Sequence, residues 1–237
     1  MGKQDQNPRK GRPPAQNSGE TICSQIYKDA KKFYAEEFKD REDDPGFQIL
    51  YGPPFFHAPV LFLGYQPGSG KGCKTALEER EYGSEDRWPS KSEYVTESWP
   101  LAKRLREMFG KDFIEKCVGL NAIFVRAGSM QKYSELDRAL RSQIEEFCRL
   151  RVEKMVNAIQ PKLIVAIGFA TLDLLAVDDV DITKTNQNGR VLTKRGKIFG
   201  RDALGVLHLS GARISIPDRK TIADIVSGSI GGKIGGK

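Results

Sequence analysis

The sequence predicts an α/β fold: a three-layer sandwich with a central, mostly parallel four-stranded sheet flanked by helices. Three observations predict it. Short apolar runs of strand length recur at residues 59–64, 120–125, 163–168 and 204–207, and none alternates polar with apolar. Unbroken runs mark strands covered on both faces, which is how parallel strands are found. Between the runs, apolar residues fall at helical spacing, and glycines and prolines punctuate each change of period.

In chain order, residues 1–19 carry Pro8, Pro13 and Pro14 among Gln and Asn, with almost no bulky apolar residue, and are expected to form a disordered basic tail. Within it, Arg9-Lys10-Gly11-Arg12-Pro13-Pro14 resembles an AT-hook core, and the tail is expected to add salt-sensitive affinity for a polyanion. A single domain is expected over residues 20–227. Residues 21–38 set Ile22, Ile26, Ala30, Phe33 and Phe38 near one helical stripe. The first strand, Pro59-Val60-Leu61-Phe62-Leu63-Gly64, runs into a glycine-rich loop. Ser98 is a candidate cap for a helix through Phe109, with Pro100 in its first turn. A second strand over 120–125 precedes a long amphipathic helix over 134–159, closed by Pro161. The third strand, 163–168, leads into a short helix over 169–175. A fourth strand, 204–207, enters His208, and a helix over 217–226 closes the domain. Residues 228–237, with Gly231, Gly232, Gly235 and Gly236 beside two lysines, are expected to be a flexible tail.

The chain has 237 residues, 39% hydrophobic and 29% charged, so it can bury a core and fits neither a disordered nor a fibrous class. No apolar run approaches the roughly 18–20 residues of a membrane helix. The start, Met-Gly-Lys-Gln-Asp-Gln, carries no apolar signal region. A soluble protein is expected, cytoplasmic if bacterial or nuclear if eukaryotic, not secreted and with no membrane partner. The 38 Lys and Arg exceed the 31 Asp and Glu, giving a formal charge of +7 that suits a polyanion such as nucleic acid. Cys23, Cys73, Cys117 and Cys148 are far apart, which disfavours a zinc ribbon or a disulfide framework and favours buried thiols over an iron–sulfur cluster.

In parallel sheets, ligands bind beyond the carboxyl ends of the strands. Here those ends carry Gly64-Tyr65-Gln66-Pro67-Gly68, then Asn121 and Arg126, then His208-Leu209-Ser210-Gly211, which are expected to converge on one crevice. The loop over 64–71 imitates a nucleotide-binding loop because Gly70-Lys71 follows a strand. Yet Tyr65 stands where that loop needs its first glycine, Gly72 stands where a metal-binding hydroxyl is needed, and no acid ends the third strand. The dinucleotide pattern fails as well, since the loop runs Gly68-Ser69-Gly70-Lys71-Gly72. Pro67 instead fixes the backbone, while Gly68 and Gly70 permit close approach of a nucleotide and its phosphates.

Gly64-Tyr65-Gln66-Pro67-Gly68 resembles the first motif of the uracil-DNA glycosylase superfamily. The stretch over 120–126, Leu-Asn-Ala-Ile-Phe-Val-Arg, is similar to its second-strand segment. Residues 163–175 are similar to its third strand and helix, and His208-Leu209-Ser210-Gly211-Ala212-Arg213-Ile214-Ser215 to its closing His-Pro-Ser loop. The four occur in family order over residues 60–226. The resemblance implies a monofunctional DNA N-glycosylase acting on a damaged or modified base, uracil-type or a hypermodified pyrimidine, without metal or cofactor. DNA is the implied partner, and no obligate protein partner is implied.

Gln66 stands where the family carries Asp or Asn, so the match is to its asparagine-type branches. An amide aligns a water but cannot take its proton. Asn121, with a donor and an acceptor, can read a pyrimidine edge, as the family asparagine does. His208 can donate to the base oxygen as negative charge builds on it. Gly64, Tyr65 and Pro67 would shape the base pocket. Tyr82, Trp88 or Tyr65 would stack on the base. Ser69, Lys71, Ser210 and Arg213 would contact DNA, with Arg213 as the wedge that fills the vacated stack. Residues 184–201 hold Lys184, Arg190, Lys194, Arg195, Lys197 and Arg201 with no acid, and suggest a hairpin with turns at Asn188-Gly189 and Arg195-Gly196. Lys194, Arg195 and Lys197 are the expected backbone contacts. Two rivals remain: a catalytically weak DNA-binding module of the same fold, and a nucleotide-binding enzyme using the loop over 64–71.

Overall fold

A computed structural model of the chain describes residues 18–38, 46–68, 87–176, 180–210 and 213–231. Its elements run α1 (Ser18–Glu37), β1 (Leu61–Gly64), α2 (Glu93–Thr96), α3 (Pro100–Phe109), α4 (Lys111–Ile114), β2 (Val118–Asn121), α5 (Met130–Ser134) and α6 (Arg138–Ile159). Then follow β3 (Ile164–Ile167), α7 (Phe169–Leu175), β4 (Asp181–Thr185), β5 (Val191–Ile198), β6 (Arg201–Val206) and α8 (Ile216–Ser229). The sheet has six strands in the order β2-β1-β3-β6-β5-β4. The four apolar runs become its parallel part, β2-β1-β3-β6. β5 and β4 add antiparallel strands at one edge.

The expected four-stranded sheet is therefore a six-stranded mixed one. The hairpin suggested over 184–201 supplies the additional strands, but β4 is exposed at every residue and β5 is half polar, so neither carries a buried apolar run that would place it in the sheet. Asn188-Gly189 does turn between them, with Gly189 at φ 75°. Arg195-Gly196 lies inside β5, and the second turn is Phe199-Gly200, where both residues have positive φ (50° and 75°). That pair of left-handed residues is the backbone a tight hairpin needs.

Two cores flank the sheet, as side-chain alternation demands. Leu61, Leu63, Leu120 and Ile164 face α1, α6 and α7, whose Ala30, Val152 and Leu172 meet them. Phe62, Val165 and Val206 face the other way, toward Tyr94 of α2, Leu105 of α3 and Ile222 of α8. Several expected boundaries move. Trp99, not Ser98, caps α3, with Pro100 at its first position. β2 starts at Val118 and ends at Asn121, two residues earlier than the apolar run suggests at its start. Residues 123–125 stay buried because the segment over 46–51 pairs against them through the Phe47–Val125 and Leu50–Leu120 bridges. α6 begins only at Arg138, where Asp137 Oδ1 accepts from the amides of Ala139 and Leu140. α8 continues to Ser229, into the expected tail.

Among the described residues, no helix is long and apolar enough to cross a membrane. Cys23 and Cys148 are buried in one core and Cys117 in the other, and burial pushes all three thiols up to about 12. Cys73 lies outside the described residues.

Candidate functional site

The carboxyl ends of β1, β2, β3 and β6 open into one cavity of about 400 Å³, within the roughly 300–1,000 Å³ of ordinary ligand pockets. Gln66, Asn121 and His208 all line it, with Gly64, Tyr65 and Ser210. The expected convergence of strand ends thus occurs. It follows from the parallel register, which sets Gly64 beside Asn121 and Ile167 beside Val206.

The loop after β1 is fastened along its length to the segment after β2. Ala122 N donates to Gly64 O (2.8 Å), Ile123 N to Tyr65 O (2.8 Å) and Ala127 N to Pro67 O (3.1 Å). Arg126, only 4% exposed, donates from Nη1 to Gly68 O at 2.8 Å. Pro67 is buried beneath the loop rather than on the cavity wall. Gly64 is required by close approach: a Cβ there would lie 2.9 Å from Asn121 Oδ1.

Gln66 is held by its amide nitrogen. Nε2 donates to Ala127 O and Ser129 O, each at 3.2 Å. Two carbonyl acceptors on one side fix which end of the amide is nitrogen. Oε1 is then buried with no hydrogen-bond partner among the described residues. An orphaned buried acceptor on a cavity-lining residue calls for a water or a ligand donor.

Asn121 is fully buried and bonded at both ends. Tyr51 Oη donates to its Oδ1 at 3.2 Å, and its Nδ2 donates to Gln48 O at 3.2 Å. The second Nδ2 hydrogen remains for a ligand. His208 sits at the mouth, with Ser210 Oγ 3.3 Å from its Nδ1. Its ring packs against Gly168, where a Cβ would come 3.5 Å from Cδ2 and where φ is 92°. Desolvation of the ring lowers its pKa from the ordinary 6.5, outweighing a backbone hydrogen bond that raises it. The imidazole is therefore neutral at pH 7.

The aromatic wall differs from expectation. Trp88 is 6% exposed in the core on the α1 side, edge-on to Tyr27 at 5.8 Å, and does not line the cavity. A flat indole surrounded by apolar neighbours served packing, and its sequence context could not show that. Tyr82, Ser69 and Lys71 lie outside the described residues. Tyr65 lines the cavity and meets Tyr133 edge-on at 6.3 Å. The residues that sequence reading missed are Tyr51, Tyr94 and Trp99, whose tilted rings meet one another at 5.1–5.5 Å between centroids along one wall. Tyr94 is buried, and its hydroxyl has no partner among the described residues. Its ring lies so close over β2 that a Cβ on Gly119 would overlap it. Trp99 directly before the helix-starting Pro100 was the available signal. Tyr51 offered none, because its segment has no strand period.

The expected basic surface does not form as one patch. Lys194 points to α7, with Nζ 3.9 Å from Asp173 Oδ1 and 5.0 Å over the Phe169 ring. Arg195 points to the opposite face and donates to Ser229 Oγ at 3.3 Å. Lys197 lies 3.9 Å from Asp202 across the hairpin. Because β5 runs antiparallel to β6, Lys197 sits toward the end of the sheet away from the cavity. The β4–β5 turn sits at the cavity end instead, and there Arg190 Nη1 donates to Arg213 O at 2.7 Å. Arg213 is itself exposed just past the His208 loop.

No group of three or more His, Cys, Asp or Glu converges in a metal-holding arrangement among the described residues. The sequence matches no protein-family model and no curated protein.

Proposed function

We propose that the protein is a DNA N-glycosylase related to the uracil-DNA glycosylase superfamily, hydrolysing the bond between a damaged or modified pyrimidine and its sugar. One observation carries this reading: Gln66, Asn121 and His208 share a cavity at the strand ends, and the Gln66 amide is held by its nitrogen with Oε1 unpaired. An everted nucleotide would enter that cavity, since base chemistry requires the base outside the stack. Oε1 accepts a hydrogen bond from a water and aims its lone pair at C1′. The C1′–N bond breaks, its electron pair leaves with the base, and the water oxygen bonds to C1′ as its proton passes to solvent. Neutral His208 donates to the base oxygen on which charge collects. The spare Nδ2 hydrogen of Asn121 suits a keto oxygen rather than an amino group. Tyr65 and the Tyr51–Tyr94–Trp99 wall supply flat surface for stacking. DNA as partner rests on the charge of +7 and on Arg190 and Arg213 near the mouth.

The main rival is a module of the same fold that reads a base without turnover. It is favoured by Asn121 being bonded at both ends and by a glutamine unable to accept a proton. Oligonucleotides carrying uracil, oxidised, deaminated or hydroxymethyl bases, treated with alkali after incubation, separate the two. Alkali-labile breaks that disappear in Gln66→Ala are the expected result. Tight binding without breaks on any substrate supports the module.

A further inference from the structure

Beside the cavity runs a chain of polar contacts that no role so far uses. Gln48, in the segment paired against residues 119–126, stands at its centre. Its Oε1 accepts from Arg126 Nη2 at 2.7 Å, and its Nε2 donates to Glu93 Oε2 at 2.7 Å. Its backbone oxygen accepts from Asn121 Nδ2, and its backbone nitrogen donates to Phe124 O at 2.9 Å. Arg126 passes the connection on to Gly68 O, two residues beyond Gln66.

We propose that Gln48 is a positioning residue that holds the Gln66 turn in place through Arg126; its kinetic consequence rests on the glycosylase reading. The chemistry explains the residue type. A buried guanidinium needs a fixed acceptor, and a carboxylate on the far side needs a donor. A primary amide offers one of each, on two separate atoms that point to opposite partners. Gln48 thereby fixes the rotamer of Arg126, and Arg126 fixes the carbonyl of Gly68. Gly68, Pro67 and Gln66 lie in one short loop, so a loose guanidinium lets the Gln66 amide drift. The contact to Asn121 uses the Gln48 backbone and survives loss of the side chain. Catalytic alignment at Gln66 should therefore suffer more than base binding.

Gln48→Met keeps approximate volume and removes both polar atoms. Hydrogen exchange should rise in peptides covering 61–68 and remain as in the parent in α1 and α8. On a single-stranded uracil oligonucleotide, the maximal single-turnover rate should fall roughly 10- to 100-fold, with half-saturation changed less than about threefold. Gln48→Glu alone would set a carboxylate against Glu93, whereas Gln48→Glu combined with Glu93→Gln restores both contacts and should bring the rate back to within about fivefold of the parent. Parental exchange at 61–68 in Gln48→Met overturns the proposal. So does a rise in exchange across the whole chain without recovery in the Gln48→Glu, Glu93→Gln pair, which marks a merely structural residue. If the parent protein releases no base, the glycosylase reading falls, and exchange at 61–68 alone decides the role of Gln48.

Discussion

The two ends of the sheet treat their charged and polar residues in opposite ways. In the parallel part, β2-β1-β3-β6, strand interiors are buried on both faces, and the polar groups appear at the strand ends. There Gln66, Asn121 and His208 are gathered into one volume and held by named hydrogen bonds. In the antiparallel part, β5 and β4 carry cations along their length, and alternation sends neighbours to opposite faces. Concentration of function thus follows from strand direction: parallel strands end together, whereas antiparallel strands spread their side chains.

The largest expected break of this contrast is Gly64→Ala. The added Cβ meets Asn121 Oδ1, which Tyr51 holds in place, so neither partner yields cheaply. A loss of about 1–3 kcal/mol of stability, read by denaturant melts, is expected from such overpacking. A Gly64→Ala protein with parental stability would show the strand ends to be less tightly joined than described.

Smaller is the effect of stripping the edge. Lys194→Ala, Arg195→Ala and Lys197→Ala combined should weaken single-stranded DNA binding less than about threefold, because two of these cations already face acids and the three do not share a face. Fluorescence anisotropy at two salt concentrations measures it. A tenfold loss would make the edge, not the cavity mouth, the main DNA contact.

The smallest expected effect is a pH dependence at His208. Its folded pKa lies below the unfolded 6.5, so the unfolded chain binds more protons between the two values. Stability is therefore full above about pH 6.5, declines as pH falls below it and levels off below the folded pKa. His208→Gln should show a shallower loss of Tm between pH 7.5 and 5. An equal slope in both proteins would mean the ring is as hydrated folded as unfolded.

Much of the parallel part was legible before any coordinates. Leu61-Phe62-Leu63 and Ile164-Val165-Ala166-Ile167 are apolar at every position, and only strands buried on both faces need that. Residues 169–175 form the expected helix. Of β4 only the turn that follows it was legible: an exposed edge strand needs no apolar residues, so its bounds and its place at the sheet edge left no mark. Trp88 and Trp99 show the same limit within the site. Both are tryptophans near turns, yet one fills the core and the other lines the cavity. Which of them does so depends on helix placement, which no local pattern encodes.

The sequence by itself determined four buried strands, their polar ends and the meeting of Gln66, Asn121 and His208, because parallel register follows from apolar period and crossover helices. Tertiary structure alone decided what surrounds them. The wall of Tyr51, Tyr94 and Trp99, the amide orientation of Gln66 and the Gln48–Arg126 connection join segments 43 to 78 positions apart in the chain. Contacts of that range arise from packing geometry, and local propensity carries no trace of them.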